Sequence, residues 1–131
     1  IPVFGNYLKK IGSISINRNK TSKENLGFFD QIYKTVSNSK RPLLIFPQGT
    51  RLLPNEKVKF KKGVGRIYES LKIKCQPVAL NSGYVWPKNK PLSGNKIITV
   101  SILKPINAGL DKEDFLSILE NNIYSELDKI S

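Results

Sequence analysis

Leu43-Leu44-Ile45-Phe46-Pro47-Gln48-Gly49-Thr50-Arg51 is the stretch on which the reading of this chain turns. Four apolar residues in a row, with Pro42 before them and Pro47 after, predict a short buried strand. The run leads straight into a turn that holds a glycine, a hydroxyl and an arginine. Glycine lets backbone amides approach an oxyanion, threonine adds a hydroxyl donor, and arginine presents a planar fork matched to phosphate. In open α/β sheets the carboxyl end of a strand is where ligands sit. Two readings stand at this point: an anion site at 49–51, or a plain surface turn with Arg51 as a solvated cation.

Upstream, Ser13-Ile14-Ser15-Ile16-Asn17 alternates polar and apolar as a half-buried strand does, and Gly12 marks a turn or helix stop before it. Residues 1–11 then read as the end of a helix or a loop leading in. Thr21-x-x-Glu24 has the form of a capping box, and Leu26, Phe29, Ile32, Tyr33 and Val36 follow at helical spacing, predicting a helix over 22–36. Downstream, 47–62 is a long loop for a compact domain, and loops of that length usually carry function. Val64, Ile67, Tyr68 and Leu71 mark an amphipathic helix starting near Gly63. Residues 74–80 predict another buried strand with Pro77 at an edge or bulge. A Pro- and Gly-rich loop over 84–94 leads to a strand rich in β-branched residues over 97–103. Asp111 is placed to cap a last helix whose Phe115, Ile118, Leu119, Ile123, Leu127 and Ile130 face the core. Strands alternating with helices predict an α/β fold, with a mixed or mostly parallel central sheet flanked by helices, in a single domain over 1–131.

Composition narrows the chemistry. The chain has 131 residues, which is one domain or part of one at roughly 100 to 200 residues per domain. Its 22 Lys+Arg against 10 Asp+Glu give a formal charge of +12, which predicts attraction to nucleic acid, an anionic lipid surface or a phosphorylated substrate. A solvated lysine-rich surface is the plain alternative. No RRM, KH or zinc-finger pattern is recognisable and the basic residues are not gathered on one helix, so nucleic acid is not the expected partner. With no His, no His-Asp dyad, Ser-His-Asp triad or His-ligated zinc can be assembled from this chain. One Cys excludes a disulfide framework and any CxxC metal or redox site, so no metal is expected. The sequence opens Ile1-Pro2-Val3-Phe4 without Met and reads as an N-terminally truncated fragment or processed product. Its apolar runs are far shorter than the ~20 residues a spanning helix needs.

Other residues carry weaker signals. Arg18 also follows a predicted strand; were the two strands parallel neighbours, Arg18 and Arg51 would converge on one anion, and otherwise they are two separate surface arginines. Gly63-Val64-Gly65-Arg66 has the look of an anion-binding turn without the fuller dinucleotide fingerprint. Tyr84, Trp86 and Phe60 suit either a lipid interface or loop packing. Cys75 reads as a small, half-buried residue, and the carboxylates of the last helix read as a solvated face.

Phe46-Pro47-Gln48-Gly49-Thr50-Arg51 resembles the Phe-Pro-Glu-Gly-Thr-Arg block of the glycerolipid acyltransferase family. Residues 12–18 resemble that family's Gly-x-Ile-x-Ile-Asp-Arg block, and Phe60-Lys61-Lys62-Gly63 is similar to its Phe-Lys-x-Gly element. Gln76-Pro77-Val78-Ala79-Leu80-Asn81-Ser82-Gly83, followed by Trp86-Pro87, resembles its last block, a Val-Pro-Val strand leading into a loop. These blocks occur in order between Gly12 and Pro87, and beyond about Ile106 the resemblance rests on little. It implies a glycerol-3-phosphate acyltransferase-like fold. The implied reaction moves a fatty acyl group from acyl-CoA or acyl-carrier protein to the free hydroxyl of lysophosphatidic acid. The product is phosphatidic acid, made at the cytoplasmic face of the inner membrane without a further cofactor. Arg18, Gly49, Thr50 and Arg51 would hold the glycerol phosphate, Lys61 would add positive charge, and Pro77 and Val78 would shape the acyl or thioester end. The family's base is the His of a His-x4-Asp block that precedes the Gly12 segment. This chain has no His, so no catalytic residue is expected within it, and the piece alone is expected to be inactive. Gln48 stands where the family has Glu, and Asn17 where Asp is common. Each swap removes a negative charge while keeping an acceptor oxygen and adding amide donors. A noncatalytic lipid-binding remnant of the same fold is the alternative reading.

Overall fold

The computed structural model describes residues 2–14, 26–88 and 90–131. They form two compact units, Ile1–Leu43 and Leu44–Ser131. In the first unit, helix α1 (Pro2–Lys10) ends as the sequence requires. Gly12 takes a left-handed φ of 80°. Its N–H donates to Lys9 O at 3.0 Å, while Ser13 N donates to Leu8 O at 2.9 Å. This is the paired-carbonyl helix stop that favours glycine. Arg41 adds a cation to the same end, Nη1 donating to Ile11 O at 3.1 Å. Helix α2 (Leu26–Ser37) follows. Ile32 is its buried anchor, while Tyr33, on the predicted apolar face, stands half exposed. The expected capping box at 21–24 lies outside the described residues, as does most of the expected strand at 13–17.

The second unit is built on α3 (Lys62–Leu71), β1 (Val78–Leu80), β2 (Val100–Ile102) and α4 (Lys112–Ile130). Asp111 caps α4 as predicted, accepting from Glu113 N at 2.8 Å and Asp114 N at 3.0 Å. The strands pair antiparallel with Ala79 opposite Ser101, and an isolated bridge joins Cys75 to Ile106. Ala79 is fully buried, and β1 packs against α4. Val78, Leu80, Val100 and Ile102 occupy the alternate positions and are exposed. The core joins Phe60, Tyr68, Ala79 and Ile106 to the Phe115, Leu119, Ile123, Tyr124 and Leu127 stripe of α4. Buried Gly65 lets α3 approach α4, for a Cβ there would sit 3.0 Å from both Lys112 O and Leu116 Cδ1. Within the Gly63–Arg66 segment, Gly65 thus has a packing role. Among the described residues no helix is long and apolar enough to cross a membrane.

The α/β class is as expected, and among the described residues the sheet is two-stranded and antiparallel, without the mixed or mostly parallel arrangement expected. Residues 42–46 are not a strand, and Leu44 and Phe46 are 77% and 66% exposed. A strand needs a ladder partner, and Phe46 O is spent instead on closing a turn with Gly49 N at 3.1 Å. Helix α3 also stops without glycine: Lys72 sits at φ 52° and donates its N–H to Tyr68 O. A Lys72→Gly substitution relieves that left-handed strain and is expected to stabilise the protein by about 0.5–1 kcal/mol, read as a raised urea midpoint. An unchanged or lowered midpoint would contradict the argument.

Candidate functional site

The turn at 46–49 follows from its residues. Pro47 fixes φ at the second position, and Gly49 supplies the left-handed φ of 71° that ends it. Pro47 O accepts from Lys61 N at 2.9 Å, which ties the turn to the start of α3. Lys61 is the N-cap residue of α3, makes no side-chain cap, and the first turn of the helix holds no acidic residue. The positive end of this helix dipole therefore has no side-chain cap and no first-turn carboxylate among the described residues. The Lys61 stem runs across Gly49, whose missing Cβ would lie 3.3 Å from Lys61 Cε. Gly49 and Lys61, linked above only by resemblance, are thus in contact.

Thr50 and Arg51 follow on the exposed side and line a groove of about 750 Å³. The Arg51 guanidinium carbon lies 5.7 Å from the centroid of the Trp86 ring. Gly83 holds the groove's two walls together: a Cβ there would fall 2.2 Å from Leu52 O. Gly63 occupies the first turn of α3 with open space where its Cβ would be, so packing makes no demand for glycine there. Pro77 is fully buried and Val78 lies on the exposed sheet face; neither lines this groove. Arg18 and Asn17 lie outside the described residues. Phe60 is core, its ring 5.2 Å from that of Tyr124, which decides for packing over a lipid role. Cys75 is half-buried with its pKa raised by burial, the inert state expected of it.

Sequence reasoning missed the residues that position this site. The carboxylates of α4 are not simply solvated. Glu120 accepts from Phe60 N at 2.9 Å and from Lys59 Nζ at 2.7 Å. Tyr124 Oη accepts from Val58 N at 2.9 Å and donates to Val58 O at 2.5 Å, and Asp128 pairs with Lys57 at 2.7 Å. Glu120, Tyr124 and Asp128 recur every four residues, so one stripe of α4 grips 57–60 and thereby fixes Lys61. The spacing was visible, but its partners lie some 60 to 71 residues away. Asn81 was missed too; buried, it donates to Ile130 O at 2.9 Å and accepts from Thr99 N at 2.8 Å.

Burial pushes the Glu120 pKa up, but the hydrogen bonds and charge of Lys59 and Phe60 N outweigh it, and the net shift is downward from 4.5. A depressed carboxylate contributes stability above its unfolded pKa and loses it as pH falls through the folded value. Wild-type stability is expected to drop as pH falls below about 4.5, and Glu120→Gln to flatten part of that acid limb. Identical acid limbs in urea titrations would refute this. Gln48 also has a structural task, its Nε2 donating to Tyr124 Oη at 3.5 Å. Since the Tyr124 proton goes to Val58 O, this oxygen can only accept from Gln48. Gln48→Glu removes the donor and is expected to cost about 0.5–1.5 kcal/mol in denaturant unfolding, where no loss would show the contact to be idle.

With this geometry in place, the chain was compared with known proteins. The Acyltransferase family model matches residues 1–81. Over 100 residues the chain is 35% identical to the 1-acyl-sn-glycerol-3-phosphate acyltransferase of Helicobacter pylori (strain J99 / ATCC 700824), covering 76% of this chain and 41% of that protein. Over 111 residues it is 32% identical to the 1-acyl-sn-glycerol-3-phosphate acyltransferase of Saccharomyces cerevisiae (strain ATCC 204508 / S288c), covering 82% of this chain and 36% of that protein. The chain thus spans about two fifths of the length of these curated relatives. No solved structure matches it. The family match, extending over more than half of the chain and including the 46–51 turn and the Lys61 helix start, decides the assignment: the chain belongs to the Acyltransferase family.

Proposed function

We propose that the protein transfers a fatty acyl group from acyl-CoA or acyl-carrier protein to the sn-2 hydroxyl of 1-acyl-glycerol-3-phosphate, giving phosphatidic acid. The hydroxyl oxygen attacks the thioester carbonyl carbon, the carbon–sulfur bond breaks, and the thiol leaves with a proton. The observation that carries this reading is the Gly49 turn, seated on the Lys61 helix start, with Arg51 two residues further along the chain. An uncapped helix N-terminus, a lysine and an arginine fork favour a phosphate monoester. Gly49, Thr50, Arg51 and Lys61 would bind the acceptor's phosphate, with Arg18 joining them by resemblance. The base that takes the hydroxyl proton would be a His outside these 131 residues, since the chain has none. The 131-residue chain alone would then be inactive. A wider central sheet, a site at the cytoplasmic face of the inner membrane, and attraction of the lysines to anionic lipid belong to the same reading.

The two curated relatives carry the name of this activity. The test is acyl transfer to lysophosphatidate by the protein expressed from its whole gene, offered acyl-CoA and acyl-carrier protein in turn. Phosphatidic acid is the expected product. Binding of lysophosphatidate without transfer from either donor would move the noncatalytic lipid-binding reading ahead.

A further inference from the structure

Among the cations of Leu44–Ser131, four are ion-paired and four others line one groove. Lys57, Lys59, Lys112 and Lys129 are each paired with a carboxylate of α4. Lys88, Lys90 and Lys96 line the groove that Arg51 also lines, and none of these four cations has an ion-pair partner among the described residues. The one carboxylate on the groove, Glu56, is engaged by Leu53 N at 2.8 Å. The loop carrying Lys88 and Lys90 is tied at both ends, Trp86 N donating to Ser82 O and Ser93 N to Val85 O, each at 2.8 Å. Its walls are also apolar, with Pro87, Pro91 and Leu92 beside Tyr84, over which Lys96 Nζ lies 5.7 Å from the ring centroid. About 750 Å³ is within the ordinary range of ligand sites, about 300–1,000 Å³.

We infer that this groove is the donor's phosphate subsite, taking the nucleotide end of an acyl-CoA with Lys88, Lys90 and Lys96 on its diphosphate and 3′-phosphate. The inference rests on the acyltransferase reading above. One phosphate monoester on the acceptor is matched by Arg51 and Lys61, which leaves three lysines without a ligand. The thioester must also reach the acceptor's hydroxyl, so the donor's site has to be continuous with the acceptor's, and Arg51, two residues after Gly49, is among the residues that line this groove. Tyr84 and the two prolines offer flat apolar surface to a base or a pantetheine arm.

The test is a triple variant, Lys88→Ser with Lys90→Ser and Lys96→Ser, in the protein expressed from its whole gene, with circular dichroism to verify folding. KM for acyl-CoA is expected to rise about 10- to 100-fold, as losing several exposed phosphate contacts implies. KM for lysophosphatidate, and rates with an acyl-N-acetylcysteamine thioester that lacks the nucleotide, should stay within twofold. Free CoA binding by calorimetry should weaken by the same factor and should be tighter than that of dephospho-CoA. A rise in KM for lysophosphatidate alone would overturn the inference in favour of a second acceptor site. Loss of binding to anionic phosphatidylglycerol vesicles with unchanged KM for acyl-CoA would overturn it in favour of a membrane patch. Lysine-dependent CoA binding by a protein that transfers nothing would support the subsite while removing the proposed reaction, and absence of CoA binding by wild type would remove the subsite.

Discussion

Arg51→Ala is expected to lower kcat/KM for acyl transfer to lysophosphatidate by about 10²- to 10³-fold, measured in the protein expressed from its whole gene, without moving its unfolding midpoint. Both halves follow from the geometry. Arg51 is exposed, makes no ion pair among the described residues, and has its guanidinium carbon 5.7 Å from the centroid of the Trp86 ring, so folding depends on it little. A guanidinium binding a phosphate, by contrast, makes charge-assisted paired hydrogen bonds that alanine cannot replace and lysine reproduces only as a point charge. Arg51→Lys should therefore recover part of the rate. A variant that keeps full activity, or that loses it only by unfolding, would leave the turn without its assigned role.

Phe115→Ala carries the largest expected effect on stability, about 3–5 kcal/mol by the usual cost of emptying an aromatic core position. Phe115 is 1% exposed and stacks on Tyr68 with ring centroids 3.7 Å apart and planes 2° from parallel. That stack is the seam between α3 and α4. The Tyr68 hydroxyl extends it, donating to Asn107 O and accepting from Leu110 N at 3.4 Å. Set against a total of about 5–15 kcal/mol, the loss is a large share of what holds a domain of this size together. Because α3 carries Lys61 at its start, the variant should also lose lysophosphatidate binding in parallel with unfolding. A urea-derived loss below about 1 kcal/mol would mean that the seam repacks without the ring.

What the sequence disclosed and what it hid divide along physical lines. Signals that act within a few residues were legible: Gly12 as a helix stop, Asp111 as a cap, and Pro47 with Gly49 as a turn whose arginine emerges at its end. Signals that depend on a distant partner were not. The apolar run at 43–46 suggests burial and a strand, but only a ladder partner makes a strand, and none of the described residues supplies one. Glu120 and Tyr124 look like ordinary helix positions until Phe60 and Val58 come to meet them. Gly83 likewise reads as a loop glycine, and its reason is the Leu52 carbonyl from a different segment. Of the candidate site, Gly49 and Lys61 are in contact, while Pro77 and Val78 stand off the groove.

The central claim is that the 46–51 turn reads the acceptor's phosphate, and the most direct measurement is an acceptor ratio. We would compare kcat/KM for lysophosphatidate with that for the matching monoacylglycerol, which keeps the hydroxyl and acyl chain but lacks the phosphate, in wild type and in Arg51→Ala. The result expected is a strong wild-type preference for lysophosphatidate that collapses in the variant, with the monoacylglycerol rate little changed. A preference that survives the loss of Arg51 would contradict the account, because the phosphate would then be recognised elsewhere.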